Sequence, residues 1–191
     1  MPDSARVITP SQTVGPFYAF CLTRYPKGMV SLGTGQVASG DVGGARIAIE
    51  GKVEDGAGQP APDAMIEVWQ ADAAGRYHTG SGNGFTGFGR VECDAAGTFV
   101  IETVKPGRVA GPSGARQAPH IALGIFGKGL NRRLYTRLYF GDEAAANGED
   151  VVLQSVPEAR RSTLIAQPAG AHRYAFAIRL QGGRETVFFE A

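Results

Sequence analysis

The sequence predicts an all-β sandwich with an irregular N-terminal arm, long loops and one or two short helices. Three observations carry this. Several segments alternate apolar and polar residues with period two, the mark of strands with one wet face. The 28 glycines and 11 prolines fall between apolar stretches, where they punctuate turns between many short elements. Helical periodicity is scarce, and no internal repeat or linker separates two cores.

Residues 1–44 are the least regular part. The run Thr9-Pro10-Ser11-Gln12-Thr13-Val14-Gly15-Pro16-Phe17-Tyr18 holds two prolines and no sustained period, and the stretch on to Gly44 is glycine-rich. Phe17, Tyr18, Phe20 and Tyr25 are too apolar for a free tail, so this segment reads as an extended arm held against a surface. The sandwich itself is assigned to residues 45–191.

Its first strand spans 46–53, with Ile47, Ile49, Gly51 and Val53 on one face. Asp55-Gly56-Ala57-Gly58 and Pro60-Ala61-Pro62-Asp63 are turns, and 65–71 is a second strand containing Trp69, the only tryptophan. Asp72-Ala73-Ala74-Gly75 turns the chain into Arg76-Tyr77-His78, followed by a glycine-rich loop over 80–89. Segments 88–93 and 98–104 are expected to form a hairpin around Asp94-Ala95-Ala96-Gly97. Further strands are expected over 120–126, 134–140 and 172–180, with 186–189 closing the chain. Residues 142–147 and 157–162 can each make a turn or two of helix, the second opening on Pro157.

Composition excludes several classes of function. A formal net charge of +1 with no basic run gives no electrostatic reason to expect nucleic acid. Apolar runs are short and broken by charge, so no segment is expected to span a bilayer. The opening Met-Pro-Asp-Ser-Ala-Arg lacks the apolar core of a signal peptide. Cys21 and Cys93 stand 72 positions apart without a Cys/His cluster and read as buried or idle thiols. A reducing cytoplasm is the expected setting.

Chemistry concentrates in three elements: Gly75-Arg76-Tyr77-His78, Lys105-Pro106-Gly107-Arg108-Val109 and Ala118-Pro119-His120-Ile121-Ala122. Singly each is weak. In order, with Glu67-Val68-Trp69-Gln70-Ala71-Asp72, Phe88-Gly89-Arg90 and the closing Glu185-Thr186-Val187-Phe188-Phe189, they resemble the intradiol ring-cleaving dioxygenases. The opening Thr9-Pro10-Ser11-Gln12-Thr13 with Gly15-Pro16 resembles that family too.

The resemblance implies a β-sandwich whose catalytic members hold ferric iron on two tyrosines and two histidines. Two phenolates suit a hard, highly charged ion, and only a tightly bound metal keeps two groups of pKa near ~10 deprotonated at neutral pH. Carried over residue by residue, the first tyrosine falls on Tyr77, while the second falls on Val109. The histidine pair has His-x-His spacing, so both imidazoles share one strand face; here it reads His120 and Ala122. The arginine expected three places before the first histidine is Gln117. Two donors make a poor cage for iron, so Tyr77 and His120 are expected to be vestigial and hydrogen-bonded to each other or to Arg108.

Some members of the family are built from two homologous chains, alpha and beta, with all four ligands on the beta chain. This sequence resembles the alpha type, in Thr136-Arg137-Leu138-Tyr139-Phe140 and Arg160-Arg161 among other stretches. The resemblance then implies that ferric iron is held by a homologous beta-chain partner, and that this chain has no catalytic residue of its own. It implies that Gly15, Pro16, Phe17 and Lys128 line the partner's substrate pocket, where an aromatic substrate meets O2. Phe17 stands where tyrosine is expected, and Lys128 where arginine is. Two rival readings are an active enzyme recruiting His78 or His172, and a stand-alone β-sandwich module that binds a small molecule and has lost catalysis.

Overall fold

The computed structural model describes residues 10–13, 15, 22, 37–38, 42–78, 85–111 and 114–190. Among the described residues are ten strands, β1 Arg46–Glu54, β2 Met65–Gln70, β3 Phe88–Glu92, β4 Thr98–Val104, β5 Val109–Ala110, β6 Arg116–Gln117, β7 His120–Phe126, β8 Leu134–Phe140, β9 Ile165–Pro168 and β10 Arg173–Arg179. Short helices α1 Ala144–Glu149, α2 Val151–Ser155 and α3 Glu158–Arg161 sit between β8 and β9. The main strand order is β3-β2-β7-β8-β9-β10-β1-β4, with β5 and β6 forming a separate ribbon.

Short β9 pairs with β8 on one side and β10 on the other, and there the sheet folds over into two layers. Ile66, Val68, Ile121, Leu123, Ile125 and Leu138 of one layer pack against Ile47, Ile49, Phe99, Ile101, Phe176 and Ile178 of the other in one core. The expected sandwich is therefore the observed one. Val37 and Ala38 tie the far edges: Val37 donates to Glu102 of β4, while Ala38 bridges Phe85 ahead of β3.

The inward face of β1 is as the alternation predicts, with Ile47, Ile49, Gly51 and Val53 all buried. Gly51 has a steric reason. A Cβ there would lie 2.1 Å from the Phe99 ring and 2.3 Å from the Phe176 carbonyl oxygen. Gly51→Ala is expected to cost about 1–3 kcal/mol, because a packed interior yields little to an added methyl. A lowered urea midpoint checks this, and an unchanged midpoint would mean that Phe99 moves aside freely.

One turn device recurs three times. In Asp55–Gly58, Asp72–Gly75 and Asp94–Gly97 the aspartate side chain accepts two backbone N–H bonds, and the fourth residue is a glycine at φ 72 to 79°. The left-handed backbone of that fourth position favours glycine. The third turn corrects a sequence expectation, for β3 and β4 do not form a hairpin. The chain reverses at Asp94–Gly97 as expected, but β3 pairs with β2 and β4 with β1, at opposite ends of the strand order. Phe99 and Ile101 join the inner face of the second layer, where they are almost fully buried.

Residues 186–189 supply a single bridge, Tyr135 to Phe189, rather than a strand. The helix expected over 142–147 lies at Ala144–Glu149, and α3 follows Pro157 as expected. Helix α2 is an addition, capped by Asp150. The helices bury Ala146, Leu153, Val156 and Leu164 with Ala118 and Tyr139 in a second, smaller core. That core covers one end of the outer face of the first layer.

Candidate functional site

Tyr77 and His120 come together from segments far apart in the chain. The turn at Asp72 positions Tyr77. Asp72 Oδ1 accepts from the N–H groups of Ala74 and Arg76, while Oδ2 holds the Arg76 guanidinium at 3.0 Å and His78 Nε2 at 2.8 Å. Burial opposes charge on Asp72, but the bonds from His78, Arg76 and Ala74 outweigh it and hold the carboxyl at about 2. His78 is committed to this carboxylate, and His172 lies in the turn between β9 and β10. Neither has a hydrogen bond to Tyr77 or His120 among the described residues, so nothing there favours the rival reading that recruits one of them.

The Lys105-Pro106-Gly107 loop packs tightly on the same turn. A Cβ on Gly107 would meet the Ala73 carbonyl at 2.4 Å, and the Gly107 N–H donates to the Asp72 carbonyl. Lys105 anchors the loop through Asp142 at 2.8 Å and Glu143 at 2.7 Å. Burial disfavours its charge, yet those hydrogen bonds prevail and raise its pKa. The loop leads into β5, where Val109, at the position the resemblance gives to a second phenolate, is buried and pairs with Gln117.

His120 opens β7. Its Nδ1 donates to the Ala118 carbonyl at 2.8 Å, which leaves Nε2 facing the Tyr77 hydroxyl at 3.5 Å, a loose contact. Burial lowers the His120 pKa, against the pull of the Ala118 carbonyl, and Arg137 lowers it further. Burial raises the Tyr77 pKa, with Arg137 acting against it. The pair is a neutral imidazole beside a protonated phenol. The Tyr77 ring lies stacked on Trp69, centroids 5.6 Å apart and planes 10° apart.

Arg137 is the residue that sequence reasoning missed. It is the cross-strand partner of Ala122, so it projects from β8 onto the face that carries His120. Its Nη1 donates to Gln117 Oε1 at 2.6 Å and reaches the Tyr139 hydroxyl at 3.4 Å, while its buried Nε has no hydrogen-bond partner among the described residues. Gln117 replaces the arginine that the resemblance calls for, and the guanidinium arrives from the neighbouring strand instead. An arginine on a strand face is ordinary in sequence; only the β7–β8 register reveals its neighbours.

Of the two partners the sequence offers Tyr77 and His120, each other or Arg108, the structure takes the first; Arg108 donates to Glu149 Oε2 at 2.7 Å and to the Arg116 carbonyl. Asp150 supports the site from behind, with its side chain accepting from the N–H groups of Ala118, Val152 and Leu153 and from the Tyr139 hydroxyl. Grooves of about 520 and 440 Å³ open elsewhere, and neither is lined by Tyr77 or His120. One phenol and one imidazole, beside a valine, an alanine and a fixed guanidinium, do not fit a ferric ion.

Thr13 links Gly15 to the Lys128 loop beyond the opposite end of β7. Thr13 Oγ1 accepts from the N–H groups of Gly129 and Gly15, and the Lys128 N–H donates to Asp63. The Lys128 side chain is exposed. Pro16, Phe17 and Cys21 lie outside the described residues. Cys93 is a buried free thiol with its pKa pushed up to about 12 by burial and by Asp94 and Asp63.

The sandwich carries a tyrosine and a histidine facing each other on one outer face, and a family model described as Dioxygenase matches residues 22–182. The chain belongs to that family. Within it, the chain is 45% identical to the protocatechuate 3,4-dioxygenase alpha chain of Burkholderia cepacia, covering 95% of this chain and 96% of that one. The beta chain from the same organism is 39% identical over 69% of this chain and 59% of its own length. The fold is that of 3-chlorocatechol 1,2-dioxygenase from Rhodococcus opacus 1CP, with a TM-score of 0.61 at 24% identity over 75% of this chain and 63% of that one. No described helix is long and apolar enough to cross a membrane.

Proposed function

We propose that this chain is the iron-free alpha subunit of a protocatechuate 3,4-dioxygenase, acting in the cytoplasm with a homologous beta chain that holds Fe(III). The complex opens protocatechuate with O2 between its two hydroxylated carbons to give 3-carboxy-cis,cis-muconate, both oxygen atoms entering the product. Ferric iron held by the beta chain would supply the activation of the catechol toward O2, while this chain shapes the chamber. The observation that carries the reading is a Tyr77–His120 pair with no donor at the other two ligand positions that the resemblance gives, Val109 and Ala122, in a chain similar to alpha chains over 95% of its length.

Residues 1–44 act as an arm packed on the partner, with 45–191 as the sandwich. Gly15, Pro16 and Phe17 line the partner's pocket, and Lys128 offers its ammonium to the substrate carboxylate. The cation survives without the planar fork of an arginine, so it acts as a point charge. The hydrogen bond of Gly129 to Thr13, which sets the arm beside the Lys128 loop, supports a shared role.

Co-expression with an iron-bearing homologue tests the reading. A complex with the red tint of tyrosinate-to-iron charge transfer and protocatechuate ring cleavage is expected. Removal of residues 1–20 from this chain should then raise KM or weaken assembly while the sandwich still folds. A truncated complex with unchanged kinetics and assembly would remove the arm from the account.

A further inference from the structure

Two turns meet beyond the end of β7. Antiparallel pairing sets Met65, the first residue of β2, opposite Phe126, the last of β7. Continued by two places, that register puts Asp63 opposite Lys128. Neither residue lies in a strand. Asp63 belongs to a turn over 61–64, closed by the Ala64 N–H on the Ala61 carbonyl at 3.2 Å. Lys128 belongs to a turn over 127–130, closed in the same way by the Leu130 N–H on the Gly127 carbonyl at 3.2 Å. Where the backbone ladder stops, a side chain takes over: Asp63 Oδ2 accepts from the Lys128 N–H at 3.0 Å.

Among the described residues the turn over 127–130 is thus held at three points. Leu130 packs against the main core, the Lys128 N–H rests on Asp63, and the Gly129 N–H rests on Thr13 Oγ1 at 3.2 Å. In a turn closed by one bond between its first and fourth residues, the two middle N–H groups need acceptors from elsewhere. A carboxylate is the stronger of the two acceptors here, because its charge strengthens the bond. The Lys128 side chain is exposed, so the backbone that carries it decides where its ammonium can reach. A long, rotatable side chain on a loose turn would spread its charge over many positions and lose binding energy to ordering.

The structure assigns Asp63 a positioning role in substrate binding. Its carboxylate fixes the Lys128 backbone and so aims an ammonium at the substrate carboxylate in the partner's pocket. Asp63 itself touches no substrate; it acts through Lys128. Its own negative charge works the other way, since an anion near Lys128 weakens the field that draws an anionic substrate. The hydrogen bond and the charge therefore move KM in opposite directions, and two substitutions separate them. This inference rests on the role proposed above for Lys128.

The test is steady-state kinetics with protocatechuate on the complex of this chain with its iron-bearing homologue. Asp63→Ala should raise KM about 5-fold and leave kcat within about 2-fold of wild type, since binding common to ground and transition states is lost. Asp63→Asn keeps an acceptor oxygen and removes the charge, so its KM should match wild type or fall below it. Asp63→Ser, too short to reach the Lys128 N–H but well suited to a turn, should behave as Asp63→Ala and serves as an independent second variant. In a Lys128→Ala background, Asp63→Ala should change KM by less than about 1.5-fold, because the group it positions is gone. Asp63 is exposed, so each variant should melt with wild type. A wild-type KM in Asp63→Ala and Asp63→Ser, no rescue by Asp63→Asn, or the same fold change with and without the Lys128 amine would overturn the positioning role. An unchanged KM in Lys128→Ala alone would sink the reading of Lys128 instead, and this inference with it.

Discussion

Asp150→Ala is expected to lower the stability of this chain by about 4 kcal/mol, the largest effect of any single polar substitution proposed here. The side chain is fully buried and accepts four hydrogen bonds, from the N–H groups of Ala118, Val152 and Leu153 and the hydroxyl of Tyr139. Alanine orphans all four donors at once, three of them buried. Each unsatisfied buried group costs ~1–3 kcal/mol, and loss of a helix cap alone costs ~1 kcal/mol. Because part of the strain relaxes, the sum falls below simple addition. For a chain of this size the melting midpoint should drop by roughly 10–15 °C. Asp150→Asn, which keeps one acceptor oxygen, should lose less than half as much. A fall of under ~2 °C in Asp150→Ala would show that the aspartate does not tie α2 to the start of β7.

Lys128→Glu is expected to raise KM for protocatechuate by about 10- to 100-fold in the assembled enzyme, with a smaller effect on kcat. The substitution replaces an exposed cation with an anion where the substrate carboxylate is proposed to sit, and a charge-assisted contact is worth ~1.5–3 kcal/mol. Lys128 is remote from the reacting carbons, so it contributes binding that is shared by ground and transition states. Lys128→Arg should keep or improve binding, since the guanidinium can grip both carboxylate oxygens. Substrates without a carboxylate should not respond to either change. Equal KM values for Lys128→Glu and the parent would move the carboxylate site elsewhere.

The fold was legible in sequence wherever one short-range rule decided the outcome. Alternation over 46–53 identified the buried face of β1, and the Asp-x-x-Gly runs identified three turns because their chemistry is complete within five residues. The β3–β4 expectation failed because a turn specifies reversal and not the layer that the returning strand joins. That choice belongs to Phe99 and Ile101, which find Gly51 and Phe176 across a long sequence separation. Helix α2 is too short to show a period, and its signal is a single capping aspartate. Strand β9 has four residues and ends in Pro168, so nothing local reveals that it joins the two layers.

The centre divides in the same way. The meeting of Tyr77 and His120 was readable because ordered motifs fix their places. The cross-strand registry that sets Arg137 opposite Ala122 is a property of the pairing of β7 with β8, invisible along either strand alone. The same registry brings Arg137 to Gln117, so the guanidinium remains at the centre although its expected sequence position is occupied by glutamine.

The central claim is that this chain contributes architecture to an iron enzyme without holding the iron. Metal analysis with visible absorption spectroscopy of the isolated chain, and of the same chain paired with its iron-bearing homologue, tests it most directly. A colourless preparation with negligible iron that neither binds nor cleaves protocatechuate, beside a red and active complex, is the expected result. Stoichiometric iron with a tyrosinate charge-transfer band in the isolated chain would contradict it.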